Sequence, residues 1–226
     1  SKGFKPLTEQ GLELIPGPSL ELKIIGTRVD SDVYLKNFYR LITPTQISDF
    51  GIINYYKFIG TPKKINHIDY GDIIFGESGT GRSAVYLDDE YKTINNAHAH
   101  ILRPIKDKCS LDKSITIRCI LQYYKEIGLI DLMTVGGSGG HLSPSYFDRV
   151  PIPNFSKKIQ EKISTNYFNK QKLYDFDDFK LENYLKYDKD FEKNSGIIDL
   201  DNASKKIKEF IDKKLIKIFN KEKIGF

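Results

Sequence analysis

The sequence predicts a mixed α+β chain, with a β-rich first part carrying short helices and a helical segment after it. Three observations predict this class. Short runs of β-branched and aromatic residues alternate with polar ones before residue 150. Pro151-Ile-Pro153 then forces extended backbone that no helix can cross. Beyond it, apolar residues recur at helical spacing among lysines. The division is accordingly 1–155 for the β-rich domain and 156–226 for the helical segment, a spacer, dimerisation or partner-docking element.

Taken in order, Leu20–Ile25 and Ile52–Ile59 read as strands, followed by Asp72–Phe75, Ala84–Leu87 and His98–Leu102. Ser114–Ile127 reads as a helix, because Ile117, Ile120, Leu121 and Tyr124 share a face and Gly128 stops it. Ser156 caps a helix carrying Ile159 and Ile163, and Phe179–Tyr187 forms a short one. A last helix over Ala203–Asn220 places Ile207, Phe210, Ile211, Leu215 and Ile218 on one face, for its own domain or for a partner helix.

The 226 residues include 14 Phe and 14 Tyr, enough for a core. Cys109 and Cys119 form neither a disulfide framework nor a zinc pair, so the expected setting is a reducing cytoplasm. No apolar run approaches the roughly 18 residues of a membrane span. Ser1 in place of Met suggests a processed or engineered terminus, or a fragment of a longer protein. A net charge of +5 with a pI near 8.9 favours an anionic partner, diluted by 30 acidic residues.

Two glycine-rich segments imitate catalytic motifs. Gly76-Glu-Ser-Gly-Thr-Gly-Arg82-Ser83 has phosphate-loop spacing, but Arg82 stands where lysine is required. The Ala84–Asp89 sequence behind it reads as a strand, where a phosphate loop needs a helix N-terminus. Gly136-Gly-Ser138-Gly-Gly140 fits a nucleophile elbow, yet the only later histidine, His141, is too close to serve as the base. Both segments therefore read as turns. His98 and His100 would share a strand face, where packing or hydrogen bonding outweighs a metal site, and no cofactor is implied.

In order, the motifs are Tyr70-Gly-Asp-Ile-Ile-Phe75, Ser78-Gly-Thr-Gly81, Asn95-Asn-Ala-His-Ala-His-Ile-Leu-Arg-Pro104, Gly137-Ser-Gly-Gly-His-Leu-Ser143, Val150-Pro-Ile-Pro153 and Ile159-Gln-Glu-Lys-Ile163. This order resembles the target recognition domain of a type I restriction-modification DNA specificity subunit, across about Leu20 to Ile163. The family's full subunits carry two such domains between long helices, and one is seen here.

The resemblance implies sequence-specific binding of double-stranded DNA without catalysis. It further implies partners: an adenine methyltransferase subunit, a restriction endonuclease subunit and, for a bipartite site, a second copy of the chain. The DNA contacts it suggests are Lys63 and Lys64, then Ser78, Thr80 and Arg82 in the first glycine segment, and Ser138, Gly139 and His141 in the second. Arg28, Tyr34, Lys36, Arg40 and Gln46, expected to be exposed, lie in the stretch that varies in the family, where readout often resides, and no motif selects among them. Two other readings remain: a nuclease or NTPase domain using the glycine loop, and a protein-protein interaction module.

Overall fold

A computed structural model describes residues 3–54, 56–77, 81–88, 90–134, 142–171, 182 and 184–220. The chain forms two compact units, Ser1–Ile163 and Ser164–Phe226. The first contains β1 (Phe4–Pro6), β2 (Leu12–Pro16), α1 (Leu22–Ile25), β3 (Val29–Ser31), β4 (Tyr39–Leu41), β5 (Lys57–Gly60), β6 (Ile73–Gly76), β7 (Ser83–Val85), β8 (Thr93–Ile94) and β9 (Ala99–Pro104). It continues through α2 (Leu111–Glu126), α3 (Leu129–Leu132) and β10 (Pro151–Pro153) into α4 (Lys157–Tyr167). In the second unit lie α5 (Tyr184–Asn194) and α6 (Ile197–Phe219). The architecture is α+β.

The central sheet has the order β2-β9-β6-β7 and is antiparallel throughout. Its inner strand β6 is apolar on both faces: Ile73, Ile74 and Phe75 are all fully buried. Such an uninterrupted run is what a strand covered on both sides requires. Ile74 packs with Ile42, Ile47, Ala84, Tyr86 and Ile101. α2 lies on β6 and β7, where Ser114 Oγ donates to Gly71 O at 2.7 Å and Arg118 Nε to Ser83 O at 2.9 Å. Ser114 is thus an interior anchor. The helix starts earlier, capped by Ser110, whose Oγ accepts the Lys113 amide at 3.3 Å.

A second sheet, β3-β5-β4-β8, pairs β4 and β8 in parallel and the rest antiparallel. Beneath it Leu20, Ile25, Leu41, Ile59, Ile65 and Ile94 form a separate core. That core explains why Leu20–Ile25 is not the expected strand. Leu20 and Ile25 are buried while Leu22 and Ile24 are exposed, a pattern that one helical turn satisfies. Gly26 closes the turn with φ +75, a left-handed conformation that suits glycine, and its amide returns to Leu22 O. Of Ile52–Ile59, only the end joins β5; Ile53 makes an isolated bridge to Ile47.

β1 and β10 form a two-stranded sheet with Lys5 opposite Ile152 and a proline at each end of β10. Proline suits such an edge because it donates no ladder hydrogen bond. α6 begins six residues before the expected Ala203. Its start is built by Asp199, 2% exposed, whose carboxylate accepts the amides of Gly196, Asn169 and Gln171 at 2.7–2.9 Å. Ile207, Phe210, Ile211, Leu215 and Ile218 remain exposed on it. The start of the expected Phe179–Tyr187 helix lies outside the described residues. Among those described, no helix is long and apolar enough to cross a membrane.

Candidate nucleic-acid interface

The first glycine segment joins β6 to β7, which pair with Phe75 opposite Ser83. It is a hairpin connection, and a strand follows it. A phosphate loop of the NTPase kind is ruled out here, since its helix N-terminus is missing. At its far side Gly81 has φ +54, and a Cβ there would come 3.2 Å from Ile130 Cγ2 on α3. The positive φ favours glycine, and a side chain there would also press on Ile130.

The two glycine segments are brought together at their flanks. Glu77, the last described residue before the first segment's centre, accepts the amide of Leu142 through its carbonyl at 3.1 Å. Leu142 is where the description resumes after residues 135–141. The Glu77 amide in turn donates to His98 O at 3.1 Å. Behind this junction the buried His100 ring meets the Glu77 carboxylate, with Phe147 edge-on to both Phe75 and His100. Ser78, Thr80, Ser138, Gly139 and His141 lie outside the described residues.

Arg82 stands beside the junction with its side chain about one-third exposed, its Nε 3.4 Å from Asp49 Oδ1. Lys125 Nζ reaches the same oxygen at 2.7 Å. The Lys125 hydrogen bond and charge, with those of Arg82, hold the Asp49 carboxyl below the usual carboxylate range. Two cations therefore share one acid. Asp49 and Lys125 carried no motif signal: one follows a short turn and the other ends α2, and only folding joins them.

Lys63 and Lys64 sit elsewhere in the first unit, both exposed. Lys63 Nζ donates to Ile24 O at 2.9 Å, helping to close α1, and both lysines line a cleft of about 350 Å³ with Arg103 and His67.

Of the residues in the variable stretch, two are corrected by the structure. Arg40 is 3% exposed and belongs to the interior. Its guanidinium donates to Thr93 Oγ1 at 3.0 Å and Tyr86 Oη at 2.6 Å, pairs with Asp88 at 2.7 Å, and stacks 4.2 Å over the Tyr56 ring. Gln46, 2% exposed, accepts the Thr43 amide at 2.7 Å inside its own turn. Arg28 is paired with Asp30, Tyr34 packs on Phe58 and Tyr91, and Lys36 is exposed.

Asp72, in the Gly-Asp-Ile-Ile run, is likewise structural. It is 1% exposed, accepts Arg103 Nη2 at 2.8 Å and the Asp69 amide at 2.8 Å. Burial pushes its carboxyl up against the pull of those bonds. His98 is exposed and precedes β9, so it does not share the surroundings of His100. No cluster of three or more metal-ligating residues occurs among the described residues.

No protein-family model and no curated protein matches this sequence. Solved structures do match its fold. One comes from a study of complex assembly and conformational transition in the type I R-M system, with a TM-score of 0.51 and 14% identity over 71% of this chain and 36% of that one. Others are the HsdS subunit from Thermoanaerobacter tengcongensis (TM-score 0.49, 16% identity, 71% and 35% covered) and the type I restriction-modification S subunit from M. genitalium (0.46, 14%, 71% and 36%). The chain thus spans about one-third of the length of the structures it resembles. The first of these supports a shared fold.

Proposed function

We propose that this chain is a DNA-recognition module of a type I restriction-modification system, acting as part of its specificity component. It selects a duplex site without catalysing a reaction. An adenine methyltransferase subunit would then modify the selected DNA and a restriction endonuclease subunit cleave it, in the cytoplasm.

The observation that carries this reading is the junction of the glycine segments. Two glycine segments distant in sequence adjoin where the Leu142 amide meets Glu77 O, near Arg82 and Lys125, on a fold similar to that of a type I R-M structure. Glycine turns let backbone amides approach phosphate closely, and side chains from neighbouring turns can reach base edges. In this scheme Ser78, Thr80, Ser138, Gly139 and His141 supply the loop contacts, Arg82 binds phosphate, and Lys63 and Lys64 add phosphate contacts at a second place.

Selection from randomised duplexes, with the methyltransferase subunit present, tests the reading. Enrichment of one short motif supports it, and its absence sinks it. Affinity should also fall steeply with salt, as phosphate contacts displace counterions. Turnover of nucleotide, or metal-dependent cleavage by the isolated chain, would favour a catalytic domain instead.

A further inference from the structure

Three separate segments meet at Glu77. Its amide is held by His98 just before β9, its carbonyl holds Leu142 at the exit of the second glycine segment, and it is itself the entrance to the first. Its carboxylate contacts His100 Nε2, with side-chain exposures of 19% and 7% for the two partners. Neither ring nitrogen makes a hydrogen bond of regular geometry among the described residues, and the Glu77 carboxylate is the polar group set against Nε2. Phe147, in the turn that follows Leu142, fixes the opposite side: its ring stands edge-on at 5.8 Å from Phe75 and 6.0 Å from His100. A ring nitrogen and a carboxylate in such close buried contact orient one another.

We infer that Glu77 and His100 are the positioning pair of the interface: they hold the ends of both glycine segments at one spacing and touch no DNA themselves. The consequence concerns selectivity. Base readout by two turns at once depends on their mutual placement, whereas phosphate attraction tolerates displacement. Loosening the pair should therefore weaken binding to the selected site more than binding to arbitrary duplex. This inference rests on the reading of the glycine segments as the DNA-contacting surface.

The test compares Glu77→Ala, Glu77→Gln and His100→Phe with the unaltered chain by two readouts. His100→Phe keeps a ring against Phe147 and removes the polar link. The first readout is hydrogen exchange at the Leu142 amide, which needs no DNA. Losing a buried, charge-assisted contact should raise it about tenfold or more in Glu77→Ala and His100→Phe, with the α2 amides of Ile117 and Leu121 unchanged. Glu77→Gln, whose carboxamide can still bond the imidazole, should stay near the unaltered value. The second is the ratio of affinities for the selected site and for random duplex. It should drop about tenfold in the first two variants, and combining them should add little, as expected of one coupled unit. Unchanged Leu142 exchange in both disruptive variants overturns the inference, as does a selectivity ratio that stays constant while overall affinity falls. If the unaltered chain selects no DNA, the proposed function fails, and the exchange readout still decides whether the pair positions the segments.

Discussion

Arg40 and Arg82 both read from the sequence as arginines available to DNA, and the fold gives them opposite employment. Arg40 is enclosed, with its guanidinium donors spent on Thr93, Tyr86 and Asp88 and its face on Tyr56. Arg82 is about one-third exposed and shares the Asp49 carboxylate with Lys125. A cation whose neighbours satisfy it has nothing left for a phosphate. One that competes for a shared acid can exchange that acid for a stronger anion, since phosphate offers a bidentate match to guanidinium. The count of basic residues therefore overstates the DNA-binding charge.

The largest effect that would break this contrast is on stability. Arg40→Ala leaves Asp88 without its partner and strips the hydroxyls of Tyr86 and Thr93 of a donor, all around a buried position. Removing one member of a buried ionic network costs about 3–5 kcal/mol, so the denaturant midpoint should fall sharply. A midpoint close to that of the unaltered chain would mean that the cage is dispensable and that Arg40 was free for another role.

Arg82→Ala should do the reverse. The partly exposed ion pair with Asp49 is worth about 0–1 kcal/mol, so the midpoint should move far less than in Arg40→Ala. DNA affinity should drop about tenfold at low salt, and the slope of log affinity against log salt should shrink by about one. Equal salt slopes for the two chains would remove Arg82 from the interface while leaving its contrast in burial with Arg40 intact.

What could be read in the sequence follows from how local each signal is. β6, β7 and β9 were legible because their apolar runs and the glycine hairpin are contiguous, and α2 because its face repeats at helical spacing. β2 was missed although Leu12–Pro16 is apolar enough, since its pairing with β9 lies some ninety residues away. Leu20–Ile25 misled because its apolar and polar residues alternate as in a strand, whereas the core beneath the second sheet takes only Leu20 and Ile25 from it. The same holds for the interface. Glycine turns announce themselves, whereas Asp49, Lys125 and the Glu77–His100 contact arise from long-range pairing that no spacing encodes. Arginine burial is of that second kind, which explains the error at Arg40.

The smallest effect concerns pH and sharpens the role of the shared acid. The Asp49 carboxyl is held below its ordinary value near 3.9, chiefly by the Lys125 hydrogen bond and secondarily by Arg82. Its folded pKa being depressed, the stability it contributes is fully present above the unfolded value and is lost as pH falls through the folded one. Denaturant midpoints measured between about pH 5 and pH 2 should therefore decline slightly less steeply in Asp49→Asn than in the unaltered chain. At neutral pH the same substitution removes the negative charge that Arg82 and Lys125 share. It should raise affinity for duplex of any sequence by a few-fold, about the value of one removed negative charge near phosphate. If affinity falls instead, Asp49 orients Arg82 and Lys125 for binding and does not compete with the DNA for them.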